Sequence, residues 1–234
     1  MQKICSIQKI AKKQQLAQAC WITSSNIVKG FCKTSPVCTS WVETSILQGL
    51  QKIVTPDCYN DIESCQPIKD LSVHDVLAIA ENLGRPAFLT PLEQIIFHPR
   101  MPTNVIMTAV SSCRPIIRIA PRRCQIILLR LFRDFKYDSQ TRTLAFSVMM
   151  ENPHPHLVQL CARQIYVEPS LNIRKYAHEV FTQCSESVLV YNKTMYVLFS
   201  YIKVEISLYC GLTFLFFNLI ALLAFLKAPT IFQC

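Results

Sequence analysis

Any chemistry in this chain would have to start from its cysteines and histidines. Twelve cysteines stand among 234 residues, many for a cytosolic domain of this size. Cys32 and Cys38 are separated by five residues that include Pro36, and Cys58 and Cys65 by six. Either pair could close a small loop as a disulfide in an oxidising compartment. Zinc is the rival for such spacings, but no C-x-x-C pair occurs and no His lies near enough to complete a tetrahedral set. A bridge is therefore the stronger reading for Cys32 and Cys38, whereas for Cys58 and Cys65 a bridge and two free thiols stand level. Cys20, Cys113, Cys124 and Cys161 sit inside apolar helical patterns, where a buried thiol is expected.

The remaining reactive groups form no constellation. His74, His98, His154, His156 and His178 are the five histidines; His154 and His156 flank Pro155 and supply at most two of the three or four ligands a metal needs. They read as loop punctuation. No G-x-S-x-G nucleophile elbow occurs, and 4 Gly in the whole chain leave no glycine-rich phosphate cradle. The expectation is no enzyme, no metal and no cofactor. A net charge of +9 could suit nucleic acid or an anionic surface. The nearest cluster, Arg114, Arg118, Arg122 and Arg123, carries no nucleic-acid fingerprint and reads as a solvated helix face, so no nucleic-acid partner is expected. Asn192-Lys193-Thr194 is a glycosylation sequon, which matters only if that segment faces a lumen.

The elements that must carry these residues are helices. Apolar residues recur at three- and four-residue spacing to about residue 183, broken mainly by proline. A first helix runs from about Ser6 to Lys29 and stops at Gly30, and a second from Trp41 to Ile53. Thr55 to Asp70 has loop composition. Ser72 opens a helix through Leu83, with Ser72 and Asp75 placed as a capping box and Gly84 ending it. Pro91 opens Leu92 to Phe97, Thr103 opens Val105 to Cys113, and Pro121 opens Cys124 to Phe135. Asp138 to Met150, His156 to Tyr166 and Asn172 to Cys184 complete the series. Short helices with short connectors must be antiparallel neighbours, and a run of them buries its faces by stacking. The fold expected is all-α: stacked antiparallel helical hairpins forming an α-solenoid over residues 1–185, followed by a C-terminal apolar helix.

Beyond a linker at 186–205, Ile206 to Leu226 contains no charge and has the length of about 20 residues that a bilayer-spanning helix needs. A transmembrane helix is expected there, with a wrongly translated extension as the alternative. The segment Met1 to Gln15 is polar and lysine-studded, with no apolar run of signal-peptide length. Secretory-style cysteines behind such a start suggest a truncated product.

Three passages carry a resemblance. "VKGFCKTSPVC" looks like a two-cysteine loop after a helix; "VLAIAENLGRPAFLTPLEQII" places Asn82, Gly84 and Pro86 in register with a recurrent helix turn; and the stretch from Ile116 to Phe181 matches in its Leu131-Phe132-x-Asp134 helix end and its Glu168-Pro169 connector. In this order and spacing, Trp21 to Ser185 resembles the α-helical part of the large lipid transfer proteins, on their vitellogenin and apolipophorin side. The resemblance implies a helical wall that braces a β-sheet lipid cavity in a secreted or lumenal lipid carrier. It also implies lipids as partners and a disulfide between Cys32 and Cys38. The family's N-terminal β-barrel and lipid-lining sheets have no counterpart here, so a fragment is expected: the wall without most of the pocket. The competing function is a helical-repeat scaffold for another protein, with residues 206–226 as its candidate membrane tether.

Overall fold

The computed structural model describes residues 14–32 and 40–186. The Cys32–Cys38 bridge, the sequon at Asn192, the linker and the apolar segment 206–226 therefore lie wholly or partly outside the described residues. Among the described residues every element is helical, and the sole β feature is an isolated bridge between Ile68 and Leu71. None of these helices is long and apolar enough to cross a membrane.

Local chemistry sets most helix boundaries. α1 spans Gln14–Cys32 and α2 Trp41–Ile53, the latter started by Ser40, whose hydroxyl accepts from the Glu43 N–H at 3.2 Å. A short α3, Pro56–Tyr59, precedes α4, Val73–Leu83. Here the capping box forms as expected: the Ser72 hydroxyl accepts from Asp75 N–H, and the Asp75 carboxylate accepts from Ser72 N–H at 3.0 Å. Gly84 ends α4 in the left-handed region at φ 62°, which lacks a penalty only for a residue without Cβ. After a 3-10 turn at Pro86–Phe88 come α5 (Leu89–Ile96), α6 (Thr103–Ser111) and a short α7 (Arg114–Ile117). Then follow α8 (Pro121–Arg133), α9 (Ser139–Met150, capped by the Asp138 carboxylate), α10 (Pro155–Tyr166) and α11 (Leu171–Glu186).

Four local expectations need correction. α1 runs through Gly30, because an exposed glycine with no heavy atom near its Cβ position weakens a helix without ending it. Pro91 lies inside α5 rather than opening it, since the 3-10 turn leads straight into the helix and leaves the Pro91 nitrogen within the first turn, where no donor is needed. The Thr55–Asp70 segment is partly helical and is closed by a Cys58–Cys65 disulfide with Cα atoms 5.0 Å apart. Cys20 is disulfide-bonded rather than a buried thiol. Cys113, Cys124 and Cys161 are buried free thiols, as expected.

The described helices fall into two compact units that divide between Asn152 and Pro153. In the first, α2 pairs with α4, α5 with α6 and α8 with α9 as hairpins. Across hairpins, α2 touches α5 and α5 touches α8, while α4 touches α6 and α6 touches α9. This is a two-layer stack, α2–α5–α8 against α4–α6–α9, with α1 packed on α4 and α2. Each helix contributes an apolar stripe to the space between layers. Ile46, Leu50 and Ile53 of α2, Val76 and Leu77 of α4, Leu92 and Ile95 of α5, Leu128 and Phe132 of α8, and Phe146 of α9 are fully buried. Phe132 and Phe146 stack with ring centroids 5.4 Å apart. The second unit is the hairpin of α10 and α11, which buries Val158 and Cys161 on one helix and Ile173, Ala177 and Phe181 on the other.

Candidate functional site

Among the described residues no three His, Cys, Asp or Glu side chains converge on a point that could hold a metal ion. Three of the histidines, His74, His98 and His154, do structural work. The Thr108 hydroxyl donates to the Asn104 carbonyl, so the His74 Nδ1–H donates to Thr108 Oγ1 at 3.2 Å while Nε2 accepts from the Asn104 amide at 3.4 Å. His98 stacks on Tyr59 at 4.5 Å, and His154 caps α10 by accepting from the His156 N–H at 3.3 Å.

The polar groups that do converge line an open cleft of about 720 Å³ in the first unit, formed by Lys29, Ala78, Glu81, Asn82, Arg114, Pro115, Arg118 and Glu151. Four elements bring them together. The Asn82 amide on α4 donates to Ser25 Oγ at 2.6 Å and Asn26 Oδ1 at 2.8 Å, which holds the end of α1 and its Lys29 against α4. At Gly84 a Cβ would lie 2.8 Å from Pro115 Cβ, so the glycine lets α7 close onto the end of α4. Asn152 then donates to the Ile117 carbonyl at 3.1 Å, and Gln125 donates to the Asn152 carbonyl at 2.7 Å, which sets Glu151 beside α7. Glu151 pairs with Arg114 and lies 3.6 Å from Arg118. Burial raises the Glu81 carboxyl above the usual carboxylate range; Arg114 opposes the rise and the Glu151 charge adds to it.

Arg114 and Arg118, read from sequence as part of a solvated basic face, are thus half of a mixed-charge groove. Their acidic partners Glu81 and Glu151 were not singled out in the sequence, where nothing but helical register relates residues so far apart. Three cations, two carboxylates and an amide make a surface for a polar, hydrogen-bonding segment of protein. An acyl chain laid there would leave charged groups desolvated and unpaired.

A second surface lies along α8. Arg130 stacks over Phe97 at 4.1 Å and lies 3.8 Å from Glu93, and Ile126, 70% exposed, stands with Leu129, Arg133 and Asp134 in a shallow cleft of about 560 Å³.

Comparison with known proteins gives this arrangement a family. A solved structure concerned with lipid–protein interactions in lipovitellin superposes with a TM-score of 0.70 at 16% identity, over 87% of this chain and 21% of that one; at that identity the likeness shows the fold. Vitellogenin-6 of Oscheius tipulae is 24% identical over 191 residues, 80% of this chain and 12% of its own. Vitellogenin-4 of Caenorhabditis elegans is 24% identical over 180 residues, 75% of this chain and 11% of its own. The chain spans about one-eighth of the length of these relatives. The family model of the vitellogenin TPR domain matches residues 1–180, and the chain belongs to that family.

Proposed function

We propose that this chain serves lipid transport as the helical wall of a vitellogenin-like carrier, secreted or lumenal, and that its described surfaces dock protein rather than hold lipid. The family match over residues 1–180 is the observation that carries the reading. The Cys58–Cys65 bridge supports passage through an oxidising compartment. The mechanism is non-covalent. Lipid leaves water when apolar surface is covered, at about 25 cal/mol per Å², and a wall contributes by holding the lipid-covering surface in place.

The mixed-charge cleft supports a second, compatible reading, a scaffold whose first partner is another protein. A pull-down of the full chain analysed for both lipids and proteins separates them: lipid recovered above a mock isolate supports the carrier reading, and protein recovered without lipid replaces it with the scaffold. In this reading residues 1–185 are the family module, 186–205 a linker and 206–226 an apolar segment of membrane-spanning length. Resistance of the chain to alkaline carbonate extraction tests that last assignment. Peptide mapping of the same material reads the Cys32–Cys38 bridge and any glycan on Asn192.

A further inference from the structure

Neither the mixed-charge cleft nor the family match accounts for the outer side of α8. At about 100° per residue, Arg122, Arg123, Ile126, Leu129, Arg130 and Arg133 fall within an arc of about 120°, opposite the Cys124, Leu128, Leu131 and Phe132 side chains that fill the core. All four arginines are exposed, Ile126 is 70% exposed and Leu129 is half-buried. From Arg122 to Arg133 the row runs about 16 Å along the helix. Among the described residues Arg122, Arg123 and Arg133 form no ion pair. Glu93 lies 3.8 Å from Arg130, and Asp134 borders the shallow cleft beside Arg133, so four cations meet two carboxylates at the margin of the face. Two of the arginines are held in place: Arg123 Nη2 donates to Thr90 Oγ1 at 2.6 Å, and the Arg130 guanidinium lies 4.1 Å over the Phe97 ring.

We infer that this face of α8 docks the chain on an anionic phospholipid surface, with the arginines on headgroup oxygens and Ile126 seated between them. Charge complementarity carries the inference. Each Lys or Arg near a negative leaflet adds to the attraction, and a planar guanidinium takes phosphate or carboxylate oxygens two at a time. Ile126 and Leu129 stand one turn apart between Arg122–Arg123 and Arg130–Arg133, where an apolar side chain gains by entering the boundary between headgroups and acyl chains. A folded acidic partner would have to match this row with carboxylates fixed at the same spacing, whereas headgroups diffuse to wherever the guanidinium groups stand. The cleft under Ile126 is shallow and open, with no wall to enclose a partner's side chain.

The docking rests on the lipid-transport reading for its purpose: a carrier that exchanges lipid must meet a surface that holds it. The acyl chains stay in the bilayer, so this face touches headgroups without holding lipid.

The test is co-flotation of the full chain with vesicles of phosphatidylcholine alone and of an equal mixture of phosphatidylcholine and phosphatidylserine. The parent is expected to bind the mixed vesicles more tightly, and to lose that increment at an ionic strength of about 1 M, where charges are screened within about 3 Å. The variant Arg122→Glu with Arg133→Glu should lose the increment by at least about tenfold, with an unchanged circular dichroism melt because both residues are exposed. Arg163→Glu with Lys175→Glu makes the same change in net charge on exposed residues of the second unit and should keep it. Any binding through residues 206–226 is common to all these chains and cancels in the comparison. Equal binding to the two vesicles, or equal loss in the two double variants, overturns the inference. So does binding to soluble polyglutamate, but not to the mixed vesicles, that requires Arg122 and Arg133; that result assigns the face to an acidic protein. A chain that recovers lipid in the pull-down yet ignores the mixed vesicles refutes this docking and leaves the carrier reading standing. One that docks through α8 but recovers no lipid does the reverse.

Discussion

Replacing Gly84 with alanine should unlock the junction that shapes the cleft. Gly84 sits at φ 62°, and a Cβ there would stand 2.8 Å from Pro115 Cβ and 3.2 Å from Pro115 Cγ. The left-handed backbone costs an L-residue about 1–2 kcal/mol. The clash is with a rigid ring held in the turn between α6 and α8, so it must be relieved by moving α7, at a cost of about 1–3 kcal/mol by analogy with overpacked cores. Together these give roughly 2–5 kcal/mol, which corresponds to a melting-temperature fall of about 5–15 °C for a domain of this size. Thermal and urea unfolding followed by far-ultraviolet circular dichroism measures it. Gly30→Ala is the matched control: its Cβ meets nothing within 4 Å and its φ is not positive, so the added helix propensity should stabilise by about 0.5–1 kcal/mol. If Gly84→Ala melts within 2 °C of the parent, or the two variants shift in the same direction, the account of the α4–α7 junction is wrong.

Phe146→Ala removes a fully buried ring stacked on Phe132 and should cost about 3–5 kcal/mol in urea unfolding. Ser72→Ala removes the hydroxyl that accepts from the Asp75 N–H, one half of the capping box on α4, and should cost about 1 kcal/mol in the same assay. Glu81 has a carboxyl raised in the folded state, so its ionised form opposes folding: the penalty is full above the folded pKa and vanishes below the unfolded value. Glu81→Gln should therefore be more stable than the parent at pH 7, with the advantage shrinking as pH falls toward 4.5. Asp138 has the opposite sign. Partial burial tends to raise its carboxyl, but the hydroxyl and N–H of Thr141, with further backbone donors, outweigh burial and lower it. Asp138→Asn should be less stable than the parent at pH 7, and the gap should close as pH falls through the lowered folded pKa.

Much of the helical framework is legible residue by residue because its causes are local. Ser72 and Asp75 are three residues apart and cap the same turn, Gly84 lacks the Cβ that would forbid its backbone, and Asp138 lies three residues before the Thr141 N–H it accepts from. The repeated apolar stripes also state that the helices must stack. Where local signals compete, the same reading slips: Pro91 resembles a helix start, but the turn begun at Pro86 already occupies that role. Gly30 resembles a stop, yet its φ is not positive and its Cβ position is open, so α1 runs through it to Cys32.

The sequence by itself determined that residues 14–32 and 40–186 build helices and no sheet, where most of those helices begin and end, and, through ordered motifs over some 160 residues, which family the chain resembles. Tertiary structure alone decided which helices share a layer, that Glu151 meets Arg114 and Arg118, and that Asn82 ties α1 to α4. Capping and periodicity act within a turn or two of the chain, so residue types at short spacing encode them. Convergence of side chains tens of residues apart depends on how hairpins of unequal length stack, which is settled by the summed burial of many apolar faces and marked at no single residue.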